Sequence, residues 1–492
     1  MLHSTAQHST ALTSFFSFHG HNPFLSFMLV LAMTAGIVLV AITQAHAADQ
    51  VSYLEGAWDS SANKCILTQK STTSYTVLTS DATSWSDGTT YVVNSDVTIA
   101  DRITVTGTVS LILCDGATLT ASSGITVSSG NTLNIYGQES GTGTLTATAY
   151  VKGNGSDPEN ARAGAAIGGL GDFMMGTGTD ACGTINIHGG TVNANKNNSD
   201  ECLAAGIGGA GQIGGNGGAV TIYSGTVNAY GSQGAGIGDY PYGESNGGTF
   251  TMYGGTVTAV GGGYCGGISG GAINGGTAVT AAIYGGTLTA TGSQGGNTGY
   301  GPGDGIGTGG WWKEDAEPSH GTLTAGTGVT IQGSSDNSTW TTLEAPFSTR
   351  YQYMKAEGPQ AAMKEYSNKY YVRTPDDLSI TQAGWNFPAG VITASADKDD
   401  FDPNKKVVVT ASSANGWALK DTILWHFNTD TVPYTLKNTQ TDTTSTTSWE
   451  ISYTDLTKDG GITITFGAQV EDFTGKRPGA YADDVTFSVE VK

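Results

Sequence analysis

The stretch Gly183-Thr-Ile-Asn-Ile-His-Gly-Gly-Thr-Val-Asn-Ala194 decides the fold, because it returns three times downstream. Its copies read Val220-Thr-Ile-Tyr-Ser-Gly-Thr-Val-Asn-Ala229, Phe250-Thr-Met-Tyr-Gly-Gly-Thr-Val-Thr-Ala259 and Ala281-Ala-Ile-Tyr-Gly-Gly-Thr-Leu-Thr-Ala290, with an earlier partial copy at Leu133-Asn-Ile-Tyr136. A second landmark, Gly-Ile-Gly or a close variant, is centred on Ile167, Ile207, Ile237, Ile268 and Ile306. Tyr223, Tyr253 and Tyr284 lie 30 and 31 residues apart, and Ile207, Ile237 and Ile268 keep the same steps. Two landmarks on one period are the mark of stacked structural units. Side chains alternate across a strand. Ile185, Ile187, Val192, Val220, Ile222 and Val227 therefore point inward, while Asn186, His188, Asn193, Thr221, Tyr223 and Asn228 point outward. One coil cannot bury its apolar row alone, but stacked coils bury it in a continuous column.

Outward from the repeats, Thr90-Tyr-Val-Val93, Val97-Thr-Ile99, Ile103-Thr-Val105 and Val109-Ser-Leu-Ile-Leu113 predict short strands leading into the stack, with a cap over its open edge. The exit is predicted near Thr327-Gly-Val-Thr-Ile331, with closing strands running to Ala356. Glycine thins out after Gly358-Pro359, and residues 358–368 read as a linker. Beyond it, the alternating runs at Lys405–Thr410, Pro433–Leu436, Trp449–Tyr453, Ile462–Phe466 and Val485–Val491 predict a β-sandwich over residues 369–492.

The first 47 residues carry no charged side chain apart from histidines. An apolar run from Phe24 to Ile42 leads into Ala45-His46-Ala47, which predicts a signal peptide over residues 1–47, with an uncleaved membrane anchor as the alternative. The chain is expected to be extracellular or on the cell surface. Asp and Glu outnumber Lys and Arg by 42 to 21, a net charge of −21 that disfavours nucleic acid and anionic membranes as partners. Five cysteines, Cys65, Cys114, Cys182, Cys202 and Cys265, read either as small buried hydrophobes or as including a Cys182–Cys202 bridge across one insertion.

The repeats resemble those of bacterial extracellular right-handed parallel β-helix proteins of the pectin-lyase-like class, and particularly their carbohydrate-binding β-helix domains. This resemblance covers roughly residues 85–345. It implies an all-β chain, with a β-helix over residues 48–357 followed by the sandwich. The last hairpin, Pro478–Val489, is similar to the ending of immunoglobulin-like or pilin-like sandwiches of bacterial surface proteins. Enzymes resembling this fold use clustered carboxylates, with Lys or Arg as base in the lyases. Between residues 130 and 330 the basic side chains besides His188 and His320 are Lys152, Arg162, Lys196 and Lys313, none in phase with a carboxylate pair, so no catalytic residue is assigned.

The outward row Tyr136, His188, Tyr223, Tyr253 and Tyr284 is the candidate ligand site, flanked by Asn186, Asn193 and Asn228. Aromatic faces beside amides and hydroxyls suit a sugar ring, although stacked rings also stabilise a solenoid by themselves. Trp311 and Trp312, in a glycine-flanked insertion, form a second candidate platform. Asp172, Asp180, Asp200, Asp239 and Asp304, which sit in or beside the looped insertions and share no common phase, are candidate calcium ligands, with solvated acidic loops as the alternative. The expected function is non-catalytic binding of a polysaccharide or cell-surface glycan, with a structural display rod or a polysaccharide lyase or hydrolase as alternatives.

Overall fold

The computed structural model describes residues 50–152, 162–172, 181–199, 202–210, 215–240, 246–270, 276–295, 301–310, 320–422, 430–477 and 480–492, and of residue 172 the backbone alone. The expected leader, Trp311, Trp312, Asp180 and Asp200 lie outside the described residues. What is described is almost entirely β, with one short helix, Tyr453–Thr457.

Each repeat contributes one strand to each of three parallel sheets. The ladder sheet holds Thr132–Gly137, Thr184–Ile187, Ala219–Ile222, Thr249–Met252 and Thr280–Ile283, and extends back to Thr76–Val77 and on to Thr322–Ala325. The threonine sheet holds Thr144–Thr148, Thr191–Asn195, Thr226–Tyr230, Thr256–Val260 and Thr287–Thr291. A short sheet is built from the Gly-Ile-Gly elements, from Ser84–Trp85 to Ile306–Thr308. Residues one repeat apart are direct partners: Val192, Val227, Val257 and Leu288 form one inward column, and Ile207, Ile237, Ile268 and Ile306 another. None of these eight is more than 1% exposed. Fully burying an aliphatic side chain stabilises by about 1.5–3 kcal/mol, so every added rung lengthens the same core.

The turn from ladder sheet to threonine sheet explains the Gly-Gly pair. Its second residue, Gly190, Gly225, Gly255 or Gly286, has φ between +76° and +89°. That left-handed conformation favours glycine, and a Cβ on Gly225 would stand 2.5 Å from the Gly190 carbonyl oxygen below it. The first position lacks this constraint in the copy that carries Ser224.

Three regions differ from the sequence reading. Strands before the repeats are ordinary rungs in register with those that follow, as Leu111–Ile135–Ile187 shows. The expected cap is instead an antiparallel hairpin, Val51–Asp59 with Lys64–Thr72, laid along the flank of the stack. Apolar residues on the hairpin, Leu54, Cys65 and Leu67, bury themselves against a row of rings there. The expected linker is also pinned to this flank. Gly286 N–H donates to Pro359 O at 2.8 Å, Lys364 N–H donates to Leu67 O at 2.8 Å, and Ala362–Met363 pairs with the hairpin.

The closing strands Thr330–Ser334 and Tyr353–Glu357 are present, the latter antiparallel to Thr287–Thr291. All five cysteines are free thiols. Four are buried and Cys114 is half-buried. Residues 370–492 form six- and three-stranded antiparallel sheets around a separate core that includes Ile392, Phe401, Val409, Trp449, Ile451 and Phe466. The longest strand there, Gly384–Ala396, was not foreseen; its register shifts between Asn386 and Gly390, which breaks the alternation.

Candidate functional site

The ladder sheet places the predicted ring row at one position of each rung, just before the Gly-Gly turn. Tyr136 and His188 stack with centroids 4.7 Å apart and planes 14° apart. His188 and Tyr223 stack at 4.4 Å and 4°. Tyr223 with Tyr253, and Tyr253 with Tyr284, follow at 5.4 Å and 5.2 Å. This spacing is close to the strand separation of about 4.7–4.9 Å, which is why an in-register sheet aligns the rings. Each pair is worth about 0.5–1.5 kcal/mol beyond its buried area.

The hairpin covers this column. Tyr53 meets Tyr136 at 4.8 Å, and Trp58 lies against Tyr253 at 5.2 Å and Tyr284 at 5.1 Å. Leu54, Cys65 and Leu67 fill the space between, against Tyr223 and Tyr253. Gly56 crosses above the middle of the column, and a Cβ there would stand 2.5 Å from the Cβ of Tyr223. Its N–H donates to Nδ1 of His188 at 3.0 Å. That bond identifies the ring as the tautomer with its proton on Nε2. Tyr136 and His188 are only 8% and 7% exposed, and Tyr223, Tyr253 and Tyr284 are half-buried. Burial holds the imidazole neutral, lowering its pKa from 6.5 to about 4. It pushes Tyr136 up to about 12 and Cys65 up to about 11.

The flanking amides stand in columns of their own. Asn186 donates through Nδ2 to Oδ1 of Asn134 at 2.9 Å on the ladder sheet. On the threonine sheet Asn228 donates to Oδ1 of Asn193 at 2.9 Å, and Asn193 reaches Thr146 Oγ1 at 3.5 Å. Thr258 and Thr289 continue the same column, and Thr144, Thr191, Thr226, Thr256 and Thr287 run beside it. Over these five rungs the outward positions of both columns are uncharged, and all are at least partly exposed.

Of the calcium candidates, Asp180 and Asp200 lie outside the described residues and Asp172 is described by its backbone alone. Asp239 and Asp304, expected in loops, are 1% and 5% exposed. Each lies within the stack: Asp239 N–H donates to Ser269 O of the next coil, and Asp304 O accepts from Gly267 N–H of the preceding one. Asp239 Oδ1 accepts from Tyr240 N–H at 2.5 Å. Asp304 Oδ2 accepts from Thr308 N–H at 3.0 Å and Thr308 Oγ1 at 3.2 Å, and lies 2.8 Å from Nδ1 of His320. Burial raises the Asp304 pKa despite these bonds. Asp172 ends a three-residue strand, Leu170–Asp172. Among the described residues no group of three His, Cys, Asp or Glu side chains is placed to hold a metal ion.

The sequence reading missed Tyr53, Gly56 and Trp58. Their signal is the run Val-Ser-Tyr-Leu-Glu-Gly-Ala-Trp at residues 51–58, an apolar-rich strand carrying two aromatics and a glycine outside the repeat. No family model, no curated protein and no solved structure matches the chain.

Proposed function

We propose that the chain is an exported, non-catalytic carbohydrate-binding or adhesive protein of the cell surface or extracellular space. In this reading its stack is a right-handed parallel β-helix of the pectin-lyase-like class, carrying an immunoglobulin-like or pilin-like sandwich. One observation carries the binding role: two in-register columns of uncharged hydroxyls and amides, Thr144 to Thr287 and Thr146 to Thr289, repeat at every rung of an otherwise acidic protein. A neutral polysaccharide offers hydroxyls at comparably regular intervals, and each rung supplies a donor and an acceptor to meet them. The ring faces of Tyr136 to Tyr284 are occupied by one another and by the hairpin. The binding face is therefore moved from that row to Asn193, Asn228 and their threonine neighbours.

The test is retention of the full chain on immobilised neutral polysaccharides, repeated with Asn228→Lys and Thr258→Lys. Retention that both variants weaken supports the reading, and no retention on any of them ends it. Release of unsaturated or reducing ends would replace it with a lyase or hydrolase. The covered ring column favours a second reading, a rigid display rod for the carboxy-terminal region. That reading gains if the stack is stable and no glycan is retained.

A further inference from the structure

We propose that the amino-terminal hairpin is a pH-sensitive strap, latched over the ring column by the neutral imidazole of His188. This inference is independent of what the outer faces bind. The hairpin belongs to a sheet separate from the three that form the stack, and its other partner there is the two-residue strand Ala362–Met363. It meets the column through packing and a few polar contacts, chiefly Gly56 N–H to His188 Nδ1 and Gln138 Nε2 to Ser52 O at 2.9 Å. His188 is the one member of the ring row that is not tyrosine, and it lies where the Gly56 backbone crosses. A phenol there would remove the ring nitrogen that accepts from this backbone N–H.

Protonation at Nδ1 converts the acceptor into a donor aimed at another donor, inside a closed interface. Stacking between Tyr136 and Tyr223 offsets part of that cost, because a cation over aromatic faces is attracted to them, whereas burial disfavours the charge. The titratable groups stacked on the imidazole are Tyr136 and Tyr223 of the sheet, and from the hairpin Tyr53, Glu55 and Cys65 lie beside those two rings. The phenols of Tyr53, Tyr136 and Tyr223 and the thiol of Cys65 are all pushed upward by burial and are neutral at and below pH 7. Glu55 and Lys70 pair with each other at 3.9 Å at the half-exposed edge.

The imidazole pKa is about 4 when docked and 6.5 in its ordinary state. Docking is therefore fully favoured above the ordinary value and weakens as pH falls toward about 4, by up to about tenfold per pH unit. Cys65, 1% exposed on the hairpin's own face toward the column, reports the opening. The full chain is treated with a disulfide reagent that reacts with thiols in acid. Modification at Cys65 is read by peptide mass spectrometry, normalised to a free thiol at each pH, with circular dichroism confirming an intact stack. Relative modification is expected to rise at least about tenfold between about pH 7 and pH 4.5. His188→Gln, which keeps an acceptor but does not titrate, is expected to flatten that rise, and Glu55→Gln to leave it. Equal protection of Cys65 at both pH values overturns the proposal, as does the wild-type slope in His188→Gln or its loss in Glu55→Gln. A carbon-13 NMR titration of the wild-type imidazole needs no variant. A pKa near 4 supports the latch, and one at or above about 6 overturns it, because the ring would then be no more averse to charge than a solvated one.

Discussion

The ring column and the threonine columns come from the same repeats, keep the same period and both point away from the core, yet one is covered and the other is open. Tyr136, His188, Tyr223, Tyr253 and Tyr284 lie under residues 51–72, more than sixty residues earlier in the chain than the first ring. Thr146, Asn193, Asn228, Thr258 and Thr289 remain half-exposed, with side-chain hydrogen bonds linking Asn228 to Asn193 and Asn193 to Thr146 along the column. Strand alternation assigns a side chain to the inside or outside of a coil. It does not say whether the outside of that coil meets water. Flat rings stacked face to face make an apolar strip, and an apolar strip draws another element onto it. Hydroxyls and amides do not.

This contrast can be broken most forcefully from the inside. Val227, wholly buried between Val192 and Val257, is expected to tolerate no charge. Val227→Asp should cost about 4 kcal/mol or more, seen as a large fall in melting temperature or loss of the folded chain. An unchanged melt would end the inward column. A smaller effect is expected at the covered flank. Gly56→Ala places a methyl against Tyr223, and overpacking of this kind costs about 1–3 kcal/mol. The hairpin should lift while the rungs persist, measured as faster hydrogen exchange confined to residues 51–72. Uniform exchange across the stack would mean the strap and the column unfold as one. The smallest stability effect belongs to the open face. Thr258→Lys should change stability by no more than about 0.5 kcal/mol while weakening glycan retention. A large loss of stability there would show that the threonine face is packed against something, and would erase the distinction.

The repeating part is largely legible in the amino-acid order. The inward pattern at Ile185, Ile187, Val192 and Val227, the short Ile-Gly sheet and the alignment of the five rings all follow from period and alternation. The carboxy-terminal region was legible strand by strand where alternation is clean, as at Val485–Val491, and illegible where the Asn386–Gly390 irregularity interrupts Gly384–Ala396. Asp239 and Asp304 were misplaced because a carboxylate in a glycine-rich stretch reads as a loop residue. The main-chain bonds of Asp239 to Ser269 and of Gly267 to Asp304 join neighbouring coils and show that both carboxylates belong to the rungs.

The amino-acid order alone determined the stack: a thirty-residue period with two apolar landmarks has one economical way to bury both, and that argument needs only neighbours one repeat apart. Tertiary structure decided what lies over the stack, because the contacts of Gly56 with His188 and of Trp58 with Tyr253 join residues that no period relates. Whether an outward ring is a surface or an interface depends on a partner strand elsewhere in the chain, and local patterning carries no record of that partner.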